Sequence, residues 1–293
     1  MTTRTQSYTP IPVSHIGTKA RRTLWKVFVY VVLIGASICF VIPLLWLISS
    51  ALKSSNEIFV FPQVWIPHPL RWGNFVKAMT ALPFGTYSLN TLLIAVGSTV
   101  GNMFSSALVA YGFTRFRFPG RNVLFLVMLA TLMIPGQILL VPQFILYYHL
   151  GWVNTFLPLI VPAYFGSAFF IFMLRQFFMN IPLELSEAAY IDGANEWTIF
   201  ARVYLPLSKP ALTAVAVFSF QGAWNDFLGP LIYLNSNRLF TLQLGLTQFQ
   251  GLFQSQWNYI MAASAVIMAP MIVIFFAAQR YFIQGIVTTG SKG

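Results

Sequence analysis

Six stretches of this chain are too long and too apolar to fold with water as their solvent: residues 27–48, 88–111, 122–141, 156–178, 211–234 and 259–283. A helix needs about 20 residues to cross the hydrocarbon of a bilayer, because each residue advances it by ~1.5 Å. The predicted fold is therefore an all-α integral membrane protein with six transmembrane helices. Composition agrees, since only 8% of residues are charged and 57% are hydrophobic, whereas about a quarter of a soluble domain is charged. The first run follows Arg21, Arg22 and Lys26, as a secretory signal would. Its 22 residues exceed a signal's apolar core and no clear small-residue cleavage site ends it, so a retained helix is expected.

Charge sets the direction. A net charge of +11 invites a nucleic-acid reading, but the bases form no dense stripe and no reading fold is visible, so nucleic acid is not an expected partner. With the N-terminus inside, thirteen of the seventeen lysines and arginines fall on the inner side, leaving Lys53, Arg71, Lys77 and Arg238 outside. Such a bias marks the cytoplasmic face. Both termini are predicted to be cytoplasmic, with an N-terminal tail 1–26, a six-span domain 27–283 and a C-terminal tail 284–293.

The spans carry internal features. Gly97, Gly101 and Ser105 recur at four-residue intervals, which predicts a low face for close helix packing. Pro135-Gly136, Pro158, Pro162, Gly229-Pro230 and Pro270 predict bends, because proline removes a backbone hydrogen bond. Irregular backbone survives at membrane depth where protein or a watery cavity covers it, so a passageway is expected. Asp226 is the one carboxylate inside a predicted span. With Asn225 it is a candidate for the solute route, the plain alternative being a polar contact between helices or near the headgroups. Trp224 and Tyr259 are expected as interfacial anchors more than as stacking platforms. The glutamine-rich outer loop 235–258 is either a contact for an external partner or a solvated connector. Cys39 stands alone, and His15, His68 and His149 lack ligand spacing, so no metal or cofactor site is expected.

Four of the six acidic residues, Glu184, Glu187, Asp192 and Glu196, lie between the fourth and fifth spans, on the predicted cytoplasmic side. Asn180-Ile181-Pro182 is expected to start a helix, and Glu184 to complement its dipole. Gly193 is placed to stop it, and Asn195 to cap a second short helix through Trp197 and Phe200. The prediction is a helix–turn–helix across residues 180–209. Ile191, Phe200 and Val203 are expected to face the bundle, and Glu196 to be solvated. Glu187, Ala188 and Ala189, with Asp192 nearby, form a low surface edged by carboxylate. That suits either docking into a basic-lined groove of another protein or plain solvation.

Glu187-Ala188-Ala189, three residues, Gly193, nine residues, then Val203-Tyr204-Leu205-Pro206 resembles the EAA loop of binding-protein-dependent ABC importer permeases. The family pattern, EAA-x3-G-x9-I-x-LP, is departed from only at Val203. Asn90-Thr91, Ala110-Tyr111 with the stretch Arg115-Phe116-Arg117-Phe118-Pro119-Gly120-Arg121 after it, Trp224-Asn225-Asp226-Phe227 and Gln279-Arg280-Tyr281-Phe282 are similar to the carbohydrate-uptake, MalG-like branch. The resemblance implies a type I importer fold, a plasma (inner) membrane location in a bacterium or archaeon, and no catalysis by this chain. It also implies three kinds of partner besides the bilayer: a second related permease subunit, a pair of cytoplasmic ATPase subunits, and an extracytoplasmic solute-binding protein delivering a sugar or sugar-like solute. Glu187, Ala188, Ala189 and Gly193, helped by Asp192, would couple to the ATPases, which would bind ATP and magnesium. No GxxxxGK[ST] phosphate loop occurs in this chain, in keeping with a separate ATPase. The alternative is a self-sufficient proton-coupled carrier, which ordinarily requires more intramembrane ionisable groups than Asp226.

Overall fold

The computed structural model describes residues 16–250 and 256–290, with side chains for 21–250 and 256–279. Arg4, Gln254, Lys292, the ends of both tails and the side chains of Arg280, Tyr281 and Phe282 lie outside the described residues. Within them the fold is all-helical: α1 (Ile16–Ala51), α2 (Gly73–Thr80), α3 (Phe84–Arg115), α4 (Arg121–Ala130), α5 (Leu140–His149), α6 (Leu157–Ile160), α7 (Ala168–Phe178), α8 (Glu184–Ile191), α9 (Glu196–Ile199), α10 (Leu205–Leu207), α11 (Lys209–Trp224), α12 (Leu228–Tyr233), α13 (Leu242–Leu246) and α14 (Trp257–Gly290).

Four segments are long and apolar enough to cross a membrane: Arg21–Ala51, Phe84–Arg115, Leu157–Phe178 and Trp257–Gln279. Two more qualify only as bent pairs, Arg121–Met133 with Gly136–His149 at 90° and Glu196–Leu207 with Lys209–Trp224 at 79°. By length and composition the chain therefore has four to six spans.

The spans are bent, as the interior prolines lead one to expect, but their bounds and some of the breaks differ from the expected ones. The third run does not stop at Val141 but bends and continues to His149. Ile134 is extended (φ −83°, ψ 115°), as the ring of Pro135 demands of the residue before it. In the fourth run a 3₁₀ segment, Val161–Phe165, leads to Gly166 at φ 89° and an extended Ser167 before α7 restarts. Only glycine takes up that left-handed conformation without strain. The fifth run is not continuous to Leu234: α11 ends at Trp224 after 16 residues, and α12 starts anew at Leu228.

Helix α3 is the hub, packing on α7, α11 and the 3₁₀ segment. Its small-residue face works as expected. A β-carbon on Gly97 would lie 3.1 Å from Ile160, and one on Gly101 would lie 2.6 Å from the ring of Tyr164. The Ser105 hydroxyl donates to Gly101 O at 2.7 Å and lies 3.0 Å from Ala163 O. Trp224, by contrast, is neither anchor nor platform. It is 6% exposed, stacks on Phe220, and its indole N–H donates to Ile267 O on α14 at 3.2 Å.

Candidate functional site

The acidic loop is built from local chemistry. Helix α8 ends with Gly193 at φ 80°; the Ala194 N–H donates to Ala189 O at 2.9 Å and the Gly193 N–H to Tyr190 O at 3.0 Å. These two bonds make a Schellman turn, which satisfies carbonyls the helix end would leave open. The Asn195 side chain then caps α9, accepting from the Thr198 N–H at 2.8 Å. A π-helical turn, Phe200–Tyr204, carries the chain into α10. Pro182 sits just before α8 rather than in its first turn, and Glu184 occupies that turn.

Glu187, Ala188, Asp192 and Gly193 are exposed, while Ala189 is half-buried against the bundle. Two expectations are corrected. Ile191 does not face the bundle but is 87% exposed, because the helix turns Ser186 and Ala189 inward instead. Glu196 is not merely solvated: it accepts hydrogen bonds from the hydroxyls of Tyr111 and Tyr190. Phe200 is buried and Val203 half-buried, as expected.

A second feature lies among the spans. A groove of about 430 Å³ runs between α3, the α6–3₁₀ segment and α11, and its polar lining includes Ser98, Asn102, Ser167, Ser219 and Asp226. Phe170 and Phe218 add aromatic surface. Across the groove Asn102 Nδ2 donates to Ser219 Oγ at 2.9 Å. Half-buried Asp226 sits at the break after α11, where its carboxylate accepts from the Gly229 N–H at 3.1 Å. It therefore caps α12 as well as lining the groove. Asn225 parts company with it: its amide donates to Gln221 O and accepts from Gln243 of the loop 235–258. Ser98, Asn102 and Ser219 had no separate signal in the sequence beyond being polar residues within apolar runs.

The described part of the loop 235–258 is a folded cap on α3, not a loose connector. Asn90 Nδ2 donates to Arg238 O at 2.9 Å and Phe240 O at 3.0 Å, and Thr91 Oγ1 accepts from the Leu242 N–H at 2.9 Å. The Tyr87 hydroxyl donates to Asn237. Among the described residues no cluster of three metal-ligating side chains occurs.

A helical bundle of apolar spans, bent around a polar groove, has the form of a membrane permease. Comparison with known proteins places it more closely. The model of the binding-protein-dependent transport system inner membrane component matches residues 102–288. The chain is 34% identical to the probable ABC transporter permease protein YurM of Bacillus subtilis, over 97% of this chain and 96% of that protein. It is 36% identical to the arabinooligosaccharides transport system permease protein AraQ of Halalkalibacterium halodurans, over 86% and 91%. It is 35% identical to the sn-glycerol-3-phosphate transport system permease protein UgpE of Pectobacterium atrosepticum, over 89% and 95%. The fold matches a bacterial ABC transporter involved in import of the acidic polysaccharide alginate, with a TM-score of 0.76 at 22% identity over 94% of this chain and 100% of that one. The chain belongs to the family of binding-protein-dependent inner-membrane transport components. It is a multi-pass transport subunit of the inner membrane rather than an enzyme.

Proposed function

We propose that this chain is one permease subunit of an ATP-driven importer for a sugar or sugar-like solute, and that the loop 180–209 is where the ATPases engage it. The observation that carries the proposal is the exposed Glu187-Ala188 edge of α8, held by a Schellman turn at Gly193 and presented beside an outward-facing Ile191. Small side chains, one large apolar group and carboxylates suit a knob that enters a cleft on a partner and meets a basic residue there. Glu187, Ala188, Ala189, Asp192 and Gly193 form that knob. In this reading the loop and both termini are cytoplasmic, the bent pair Arg121–Met133 with Gly136–His149 counts as span three, α11 with α12 counts as span five, and residues 27–283 make one six-span unit between tails 1–26 and 284–293. ATP and magnesium reside on a pair of partner ATPases, a second related permease completes the pathway, and an extracytoplasmic solute-binding protein delivers the solute.

The solute class draws on two supports. AraQ is named for arabinooligosaccharides and UgpE for sn-glycerol-3-phosphate. The groove offers hydroxyl and amide groups that both donate and accept, beside aromatic rings, a lining suited to polyhydroxylated molecules. Asp226 lines this pathway, and Asn225 connects its outer end to the loop 235–250. The deciding experiment is import by the assembled transporter with Glu187→Lys or Gly193→Pro. Both variants are expected to lose ATPase co-purification and solute uptake together; full uptake with bound ATPase in either would overturn the docking role.

A further inference from the structure

Helix α8 buries one residue, Ser186, and leaves Leu185, Tyr190 and Ile191 exposed. Among the described residues, and apart from the chain itself, its polar connection to a membrane helix runs through one carboxylate. The Tyr190 hydroxyl donates to Glu196 Oε1, and the Tyr111 hydroxyl donates to Glu196 Oε2. Tyr190 belongs to α8, Glu196 opens α9, and Tyr111 stands about one turn before the C-terminal end of α3. Hydrogen bonds to an ionised acceptor are about twice as strong as neutral ones.

Tyr111 cannot yield by itself. It is 3% exposed, and its ring is held edge-on by Tyr204 at 5.0 Å and tilted against Phe200 at 5.2 Å. The surrounding contact between the acidic loop and α3 is aromatic, and apolar contact is non-directional, so it permits sliding. The two phenol–carboxylate bonds are directional and fix the register. Movement of the carboxylate therefore reaches α3 through a side chain with no room to turn. Nine residues along the same helix, roughly 14 Å at the helical rise, Asn102 holds Ser219 across the groove.

We infer that Glu196 is a positioning residue that transmits the movement of α8 to α3 and the groove, taking it up from Tyr190 and delivering it to Tyr111. The inference rests on the reading of α8 as the surface the ATPases engage. It assigns the carboxylate a mechanical task separate from the docking surface of Glu187 and its neighbours.

The test uses the whole transporter, purified with its partner subunits and reconstituted in liposomes, and measures two things: ATPase retained, and solute imported per ATP hydrolysed. Tyr111→Phe and Glu196→Ala are expected to keep the ATPase at the wild-type ratio while solute per ATP falls about tenfold, the scale of one charge-assisted hydrogen bond. Tyr190→Phe falls in the same direction. Glu196→Gln, which keeps an acceptor oxygen, is expected to recover part of the loss. The double variant Tyr111→Phe/Glu196→Ala is expected to be no worse than Glu196→Ala, because both remove one link. An unchanged ratio in Tyr111→Phe and Glu196→Ala overturns the inference. So does loss of the ATPase from Tyr111→Phe, which would make the contact a docking or folding element. Failure of the docking reading looks different: a Glu187→Lys transporter that keeps its ATPases and imports normally, whatever the Glu196 variants do.

Discussion

The two ends of α3 are held in opposite ways. At the N-terminal end, Tyr87, Asn90 and Thr91 are bonded to the loop 235–250 at several points, most of them backbone groups, and Tyr87 is 1% exposed. At the C-terminal end, Tyr111 meets Phe200 and Tyr204 through rings, and its hydroxyl donates to the Glu196 carboxylate. A contact with many directional bonds has one register. A mainly apolar contact is non-directional, so its few polar links set its register. One helix thus combines a fixed cap with a less constrained joint, an arrangement that the proposed drive from the α8 side would use.

The largest expected effect comes from breaking the fixed end. A β-carbon on Gly245 would lie 2.5 Å from the ring of Tyr87, which is buried and has no space to retreat. Gly245→Val overpacks that contact at about 1–3 kcal/mol, and a thermal midpoint in detergent about 5 °C lower is the expected readout. The matching change at the other end, Ile191→Ala, removes a side chain that is 87% exposed. It is expected to leave the midpoint unchanged while weakening ATPase retention. Equal destabilisation by both would erase the distinction between the two ends.

Two glycines sharpen the comparison at intermediate size. A β-carbon on Gly229 would lie 2.4 Å from Asp226 Oδ2 and 2.8 Å from Leu159. Gly229→Ala must therefore push the carboxylate from its capping position beside the groove, and uptake is expected to fall severalfold with ATPase retention unaffected. Gly193→Ala meets no atom within 4 Å, but its φ is +80°. The left-handed conformation costs a non-glycine residue about 1 kcal/mol, so local fraying of the α8–α9 turn is expected, read as faster amide exchange at Ala194. Global unfolding of Gly193→Ala would show the turn to be part of the fixed framework after all.

What was legible in the sequence divides along the same line between local and distant causes. The apolar runs follow from composition. The Gly193 turn and the Asn195 cap follow from the conformational freedom of glycine and the acceptor of asparagine, so neighbouring residues sufficed to place them. The bend at Pro135 was legible for the same reason. The breaks at Gly166-Ser167 and Asn225–Phe227 were not, since they depend on how the chain is received by α3. Nor was the role of Glu196, whose partner Tyr111 lies 85 positions away. Ser98 shows why the groove stayed hidden. Its hydroxyl bonds Ile94 O within its own helix at 2.7 Å, as any membrane serine does, and only the Asn102–Ser219 pairing, 117 positions apart, marks that face as shared.

The smallest expected effect tests whether the end of the bundle that carries the loop after α1 is tied by charge as well as by packing. In the loop after α1, the Ser54 N–H donates to Glu57 Oε2 at 3.0 Å. That bond, first among the causes, holds the Glu57 carboxyl below its usual range. A carboxyl whose folded value is depressed adds stability that is complete above the unfolded value, about 4.3, and is lost as pH falls through the lower folded value. The protection factor of the Ser54 amide should therefore be constant from pH 7 to about 5 and drop below about 4. Glu57→Gln keeps an acceptor but cannot titrate, so the drop should vanish.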